Sequence, residues 1–241
     1  MSPTVEAPDE TAAATLAKGA YERLRRDVLA GRLPPRRKLR MRVLMDAYAT
    51  GQTPLREALN RLSAEGLVES REQRGFYVTG ISRSELTELT KTRCWVETIA
   101  ITESIAAATP DWEERLVVAH HRLSRTPRSL DPERFQDNPA WEAVHRAFHH
   151  ELIASCGSRP LVAFCEQLAD QLYRYRQLSI RKVFTSRHVG DEHKAILEAV
   201  LNRDAATASS LLAAHYRQTA AAIIDDASIF DSSEAGSDRN P

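Results

Sequence analysis

Apolar side chains in the first part of the chain recur at helical spacing. Residues 16–33 carry them with a period near 3.6, and the helix-breaking pair Pro34-Pro35 follows. The same spacing predicts a short second helix over residues 41–48. In that helix we expect three side chains to turn inward, those of Val43, Leu44 and Ala47.

A third helix is predicted to begin at Thr53-Pro54 and to stop near Gly66, because threonine is a good N-cap residue and proline fits the first helical position. Its predicted buried stripe has the i, i+3, i+4, i+7 spacing and consists of Leu55, Ala58, Leu59 and Leu62. The opposite face is polar and carries Arg56, Asn60 and Arg61.

Two runs of strand-forming residues follow at 67–70 and 76–79, and residues 71–75 between them have the composition of a hairpin tip. Three helices and a hairpin predict a winged helix-turn-helix. Residues 82–227 have helical periodicity instead, broken by proline and glycine turns, which predicts an all-α bundle of about six helices. The predicted fold class is therefore mainly α.

The composition of the two ends predicts disorder over residues 1–14 and 229–241. This leaves a winged helix-turn-helix domain over residues 15–80 and an all-α domain over 81–228. No apolar run is long enough to cross a bilayer, so no membrane partner and a cytoplasmic location are expected. The three cysteines have no CxxC spacing and indicate reduced thiols.

Charge is distributed unevenly although the chain as a whole has 33 basic and 33 acidic residues. Residues 12–80 hold fourteen Lys and Arg against seven acids, a net charge of +7, and the remainder carries the compensating −7. A basic module joined to an acidic domain is typical of a protein that binds a polyanion.

The segment TPLREALNRL at residues 53–62, followed by EGLV at 65–68 and RGFYV at 74–78, resembles the GntR family of bacterial regulators. The second domain resembles the FCD ligand-binding domain of the FadR-like branch. That similarity lies in Arg93 and Glu97, in HRAFH at 145–149, and in His193 and His215. Trp141, CGS at 156–158 and RYR at 174–176 also resemble the carbon-starvation regulator subgroup, which is associated with C4–C5 carboxylates.

The resemblance implies a metabolite-responsive transcriptional regulator, a repressor by family default, that binds double-stranded pseudo-palindromic operator DNA as a homodimer. A helix that enters the major groove reads base edges with its N-terminal half. The family's DNA contacts fall here on Arg42, Gln52, Thr53, Arg56, Arg74 and Gly75. Gln52 and Gly51 depart from the usual arginine and serine, so operator preference is expected to differ.

The family's metal site, usually one aspartate and three histidines, falls on His145, His149, His193 and His215. His145 and His149 are i, i+4 and share a helix face. Histidine stands in the aspartate position at 145, and an imidazole-rich set favours Zn²⁺, with Ni²⁺ possible, over Ca²⁺ or Mg²⁺. An ion held by neutral ligands keeps its charge, so a small carboxylate effector is expected beside it, clamped by Arg93, Arg174 and Arg176.

Two other classes of function are compatible with parts of this pattern. A histidine-bound metal with an open position activates water in metalloenzymes, but the chain has no HExxH motif, nucleophile elbow or phosphate loop. A DNA-architectural protein needs the basic module but not the histidine set. Ligand-dependent release from DNA separates the regulator from both, and the regulator is the reading we prefer.

Overall fold

The computed structural model describes residues 10–131, 133, 135–183, 189–226 and 228–230. The chain divides into two compact units, a first unit that reaches Ile81 and a second unit, Ser82–Phe230. No helix in these ranges is both long enough and apolar enough to cross a bilayer.

The first unit contains three helices and a three-stranded antiparallel sheet. In chain order its elements are α1 (Glu10–Leu29), β1 (Lys38–Leu39), α2 (Met41–Tyr48), α3 (Gln52–Ala64), β2 (Val68–Arg71) and β3 (Gly75–Val78). The strand order is β1-β3-β2, with Val68 opposite Val78 and Leu39 opposite Phe76. This is the winged helix-turn-helix that the sequence predicted.

The buried stripe of α3 is also as predicted, since Leu55, Ala58, Leu59 and Leu62 are all buried. Helix α1 packs against α3, and Leu24 of α1 is fully buried. Removing a leucine side chain from such a core typically costs about 2–5 kcal/mol of stability. The stripe therefore fixes which face of α3 is left for solvent, and Arg56, Asn60 and Arg61 lie on that exposed face.

Four details of the first unit correct the sequence prediction. In α2 the buried residues are Leu44 and Tyr48, whereas Val43 and Ala47 are exposed, because the tyrosine one turn after Leu44 takes the inward position. Helix α3 begins at Gln52 with Gly51 as N-cap, because the Leu55 amide already donates to the Gly51 carbonyl. Thr53 is therefore inside the first turn.

The remaining two corrections concern the first helix and the sheet. Helix α1 begins at Glu10, so it includes residues 10–14, which we expected to be disordered, while residues 1–9 lie outside the described ranges. The two-residue strand β1 was not predicted, and it completes the sheet by pairing with β3.

The second unit is a bundle of six long helices within the described ranges. They are α4 (Arg83–Ala106), α5 (Pro110–Arg125), α6 (Pro139–Ile153), α7 (Arg159–Val183), α8 (Val189–Leu201) and α9 (Ala205–Ile224). Four of these helices have a side-chain N-cap, in which an oxygen of the capping residue accepts a hydrogen bond from a backbone N–H of the first turn. The capping residues are Ser82, Thr109, Asn138 and Asp204. A helical turn follows at residues 228–230, where Ile229 and Phe230 are buried, so the tail expected to be disordered from 229 is ordered at its start.

One apolar core in the second unit includes side chains of α5, α6, α8 and α9. Trp112, Leu116, Phe148, Leu152 and Ile196 are at most 1% exposed within one apolar cluster. The Trp112 indole N–H donates to the Glu151 carbonyl at 2.7 Å, so its polar atom is satisfied in the core. His149 follows Phe148 on α6, and the rings of both residues lie about 5.3 Å from the His193 ring of α8.

Candidate metal centre and adjoining cavity

Four histidines from three helices meet inside the second unit. His145 and His149 are one turn apart on α6, His193 is on α8 and His215 is on α9. One ring nitrogen of each lies within 4.8 Å of one ring nitrogen of every other. The structure therefore brings together all four residues that the sequence singled out as ligands.

A hydrogen-bonded chain of side chains orients His149. Its Nδ1 lies 3.0 Å from the Tyr216 hydroxyl. Tyr216 in turn donates to Glu97 Oε2. Since the tyrosine proton is used on Glu97, the tyrosine oxygen accepts from His149 Nδ1–H, and the lone pair of that imidazole is on Nε2. His149 Nε2 is buried and has no hydrogen-bond partner among the described residues.

Glu192 orients His215 in the same way. The His215 Nδ1 lies 2.7 Å from Glu192 Oε2, and a carboxylate only accepts, so the proton is on Nδ1 and the lone pair is on Nε2. A carboxylate or hydroxyl behind a ligating imidazole is the usual support of a metal site, because it fixes both the tautomer and the ring orientation.

Burial keeps His145 and His149 in their neutral, ligating form. Desolvation lowers the pKa of His149 well below the ordinary value, and the nearby His215 and His193 lower it further. Desolvation and His149 do the same to the pKa of His145. Neutral imidazole is the form of histidine that binds a metal cation.

The donor set fits a divalent metal. Four nitrogens held about 2.1 Å from one ion at tetrahedral angles lie about 3.4 Å apart, so nitrogens that all lie within 4.8 Å of one another need to close by no more than about 1.4 Å. His145 is the least buried of the four, and its ring stacks on Trp141 with centroids 4.5 Å apart. This contact fixes the plane of the His145 ring. Position 145 is the one at which the resemblance to the FCD domain leads us to expect aspartate.

A cavity of about 320 Å³ adjoins the histidines. His145, His149 and His215 line it, together with apolar and aromatic residues that include Ile153, Leu172 and Tyr173. Such a volume suits a small metabolite, and a concave, mostly apolar wall with a few convergent polar groups is typical of a ligand site.

The charged groups in the wall of the cavity favour an anion. Among the described residues, its arginines are Arg93, Arg128, Arg146 and Arg176, and its acids are Glu97, Glu142 and Glu166. The wall thus carries one more positive than negative side chain before any metal is counted. A divalent ion adds two further positive charges, and the low exposure of the site strengthens their effect on a carboxylate.

Two of the three arginines expected to clamp an effector line this cavity. Arg93 donates to Glu97 at 2.6 Å and lies over the Tyr216 ring at 3.8 Å. Arg176 pairs with Glu142 and lies over the Tyr173 ring at 5.1 Å. Arg174 is buried but is not among the lining residues, which corrects the sequence prediction for that residue.

Sequence reasoning overlooked the residues that support the histidines. From the sequence, Glu97 enters only as part of the resemblance to the FCD domain, and Tyr216 and Glu192 have no assigned role. The sequence offered one indication of these residues, since Glu192 directly precedes His193 and Tyr216 directly follows His215. Nothing in the spacing relates Glu97 to Tyr216, which lie 119 residues apart.

The six residues predicted to contact DNA are all exposed in the first unit. Gln52, Thr53 and Arg56 lie on the first turns of α3, and Arg42 lies on α2. Arg74 and Gly75 lie at the β2–β3 turn, where the positive φ of Gly75, 87°, favours glycine. Arg61, by contrast, is engaged within the unit, since its guanidinium lies over the Tyr21 ring at 3.7 Å and pairs with Glu65 at 3.4 Å.

Comparison with known families matches both units. The family model for bacterial regulatory proteins of the gntR family covers residues 16–78. The FCD domain model covers residues 88–218. The two models together span both compact units and include all four histidines.

Two relatives are similar over most of their length. One is the HTH-type transcriptional repressor GlaR of Escherichia coli (strain K12), 36% identical over 81% of this chain and 90% of that protein. The other is the HTH-type transcriptional regulator BphR of Paraburkholderia xenovorans (strain LB400), 35% identical over 83% of this chain and 82% of that protein.

Among solved structures, E. coli McbR/YncC has the same fold, with a TM-score of 0.68 and 20% identity over 87% of this chain and 97% of that one. These relatives are regulators of transcription and not enzymes, which removes the metalloenzyme alternative. The chain belongs to the GntR family of DNA-binding transcriptional regulators and carries the FCD domain as its second unit.

Proposed function

We propose that this regulator is a metabolite-responsive repressor whose FCD domain holds a divalent metal and binds a small carboxylate next to it. The observation that carries the proposal is the buried Nε2 of His149, which faces a cluster of three other histidines while Tyr216 holds its Nδ1. A buried lone pair without a partner is energetically unfavourable in an apolar core, and a bound cation would satisfy it.

His145, His149, His193 and His215 are the residues that would hold the metal, with Zn²⁺ preferred and Ni²⁺ second. When bound, the ion supplies positive charge and a coordination position for a carboxylate oxygen. The chain itself supplies orientation, since Tyr216 and Glu192 hold the His149 and His215 imidazoles in the tautomer that points Nε2 inward.

Arg93 and Arg176 are the groups we expect to contact the effector from the protein side. Each is paired with a glutamate, Glu97 or Glu142, that also lines the cavity. Guanidinium has five N–H donors, so an arginine that uses part of them on a glutamate still has others for a carboxylate. The excess of positive charge in the wall supports an anionic ligand of a few carbon atoms.

Operator recognition is proposed to use Arg42, Gln52, Thr53, Arg56, Arg74 and Gly75, all on the exposed surface of the first unit. Arg56 is the leading base reader because it lies near the start of α3 on the face opposite the buried stripe. A single helix reads only a few base pairs, so a homodimer on a short pseudo-palindrome is the expected form on double-stranded DNA.

A metal assay with neighbouring histidines as matched variants tests the metal part. We expect His149→Ala to lose most of the bound metal. His150→Ala should keep it, because His150 pairs with Glu166 at 2.8 Å and does not belong to the cluster. His145→Asp should also keep metal, with selectivity moved towards Mn²⁺. Elemental analysis of protein purified without chelators gives the metal content, and equal content in all variants would contradict the assignment.

A screen of C3–C6 carboxylates tests the effector part. Thermal shift identifies ligands of the full-length protein, and each ligand is then tested for release of operator DNA. We expect ligands that stabilise the protein to do so less in Arg176→Gln, whose neutral side chain removes the charge but keeps much of the length. Stabilisation by uncharged analogues that equals that of the acids would contradict the proposed ligand class.

A further inference from the structure

The solvent side of α4 carries an unusual ridge. Lys91, Trp95, Ile99 and Glu103 recur every fourth residue, and all four are exposed. The exposed fractions of Trp95 and Ile99 are 60% and 57%, among the highest of the large apolar side chains in the described ranges. Two adjacent large apolar side chains in water are a liability unless a partner covers them.

We propose that this ridge, Lys91–Trp95–Ile99–Glu103, is the surface through which two copies of the chain dimerise, with the two α4 helices antiparallel about a twofold axis. The inference rests on the homodimer in the proposed function and adds the residues that form it. Ridges of i±4 side chains are the commonest contact between packed helices.

The order of charges along the ridge selects a second copy as the partner. A twofold axis between Trp95 and Ile99 places each Trp95 opposite the partner's Ile99, since a twofold contact pairs residue i with j and j with i. The same axis places each Lys91 opposite the partner's Glu103. The ridge is thus complementary to itself when antiparallel, and it would place like charges together if the helices ran parallel.

Neither charged residue has a competing ion pair within the described ranges. The Lys91 ammonium lies over the Trp95 ring at 4.9 Å, which keeps it beside the apolar pair. A tryptophan at the centre of an interface with charges at its edge is the usual arrangement of an energetic hot spot. Other exposed apolar side chains lie outside the ridge, among them Phe164 on α7 and Val117 and Val118 on α5, and these three are less exposed than Trp95 and Ile99.

Sedimentation equilibrium of the full-length protein at moderate salt tests the proposal. We expect a wild-type dimer, and Trp95→Ala should weaken dimerisation by about 30-fold or more. Phe164→Ala, which removes an exposed aromatic of another helix, should dimerise as the wild type does. All these positions are exposed, so the fold of each protomer should be unchanged.

Charge reversal tests the antiparallel pairing itself. Lys91→Glu alone and Glu103→Lys alone each place two like-charged pairs across the axis and should weaken the dimer. The double variant restores opposite charges and should recover most of the affinity. A double variant as weak as the single variants, or dimers of equal affinity throughout, would overturn the interface while leaving dimerisation intact.

Tryptophan fluorescence gives an independent readout. Of the three tryptophans, Trp112 and Trp141 are 1% and 7% exposed, so a change of environment on dissociation falls on Trp95. Dilution should shift the emission to longer wavelength in the wild type and not in Trp95→Phe. A wild-type protein that is monomeric at micromolar concentration overturns this interface and the proposed homodimer together. A dimer with no shift on dissociation overturns the interface alone.

Discussion

Tyr216 is the residue that connects the two halves of the proposed ligand site. Its hydroxyl donates to Glu97 and accepts from His149, and Glu97 in turn accepts from Arg93 at 2.6 Å. A guanidinium expected to contact the effector and an imidazole expected to bind metal are therefore joined by two side chains. Burial raises the pKa of Tyr216 well above its ordinary value, so the hydroxyl keeps its proton as a donor.

We expect Tyr216→Phe to lower metal affinity by about 10–100-fold, the usual effect of removing a group that orients a ligating histidine. The phenyl ring fills the same space, but His149 Nδ1–H loses its acceptor and the tautomer is no longer fixed. Competition with a chromogenic chelator measures the change. The matched control is Tyr173→Phe, which alters another tyrosine of the cavity wall that bonds no histidine, and an equal effect of both variants would contradict the argument.

The buried histidines also predict how the metal-free protein responds to acid. The pKa values of His145 and His149 are lowered in the folded state, so between the folded and unfolded pKa values the unfolded chain binds more protons. The free energy of unfolding should then fall as pH falls below about 6.5, by about 1.4 kcal/mol per pH unit for each histidine. Urea unfolding of chelated protein at several pH values measures the slope, and His149→Ala should make it shallower.

Helical geometry explains which arginines of the site could be predicted. The sequence named both Arg174 and Arg176 on α7, but residues two apart on a helix point in nearly opposite directions, so these two guanidinium groups do not converge on one ligand. Arg176 lines the cavity and Arg174 does not. Which face of α7 is turned towards the cavity depends on how the helices of the bundle pack together. The sequence of α7 alone therefore does not determine it.

At the scale of elements, long amphipathic helices were predictable and short elements were less so. The stripe of α3 repeats over two turns and specifies its buried face, whereas α2 has only eight residues, and Tyr48 replaces the two smaller apolar side chains we expected inside. The strand β1 has two residues and therefore no period to detect. It exists because β3 offers a free edge, which is a tertiary cause.

Helix α3 itself is the element on which DNA reading is proposed to depend. We expect Arg56→Ala to cost about 1–3 kcal/mol at one base position and to relax discrimination there. Arg61→Ala is the control on the same helix, because its guanidinium is engaged with Tyr21 and Glu65 and its loss should affect stability more than specificity. Binding to a set of single-base operator variants measures both, and equal losses on every sequence would make Arg56 a phosphate contact.

At the scale of the whole molecule, the two units differ in charge and in histidine content. Residues 12–80 carry a net charge of +7 and the remainder carries −7, and all eight histidines of the chain lie beyond residue 81. The sequence predicted this division of labour because charge and histidine content can be counted along the chain. It did not predict the network behind the histidines, since Glu97, Glu192 and Tyr216 meet only after α4, α8 and α9 have packed.

Removing the metal should therefore destabilise one unit and leave the other intact. The proposed ligands come from α6, α8 and α9, so a bound ion would close loops of up to about 70 residues that the unfolded chain keeps open. At a free metal concentration 100-fold above the dissociation constant, binding adds about 2.7 kcal/mol, which for a unit of this size corresponds to about 5–10 °C in melting temperature.

Calorimetry with and without chelator measures that shift, and re-addition of Zn²⁺ should reverse it. Operator binding by the chelated protein should change little, because the first unit holds no histidine, while stabilisation by a carboxylate effector should be lost. His149→Ala protein should melt near the temperature of chelated wild type and should not respond to chelator. If wild-type protein holds stoichiometric metal and yet melts at the same temperature after its removal, the ion does not link these helices. The histidines would then be polar core residues that bind metal only incidentally.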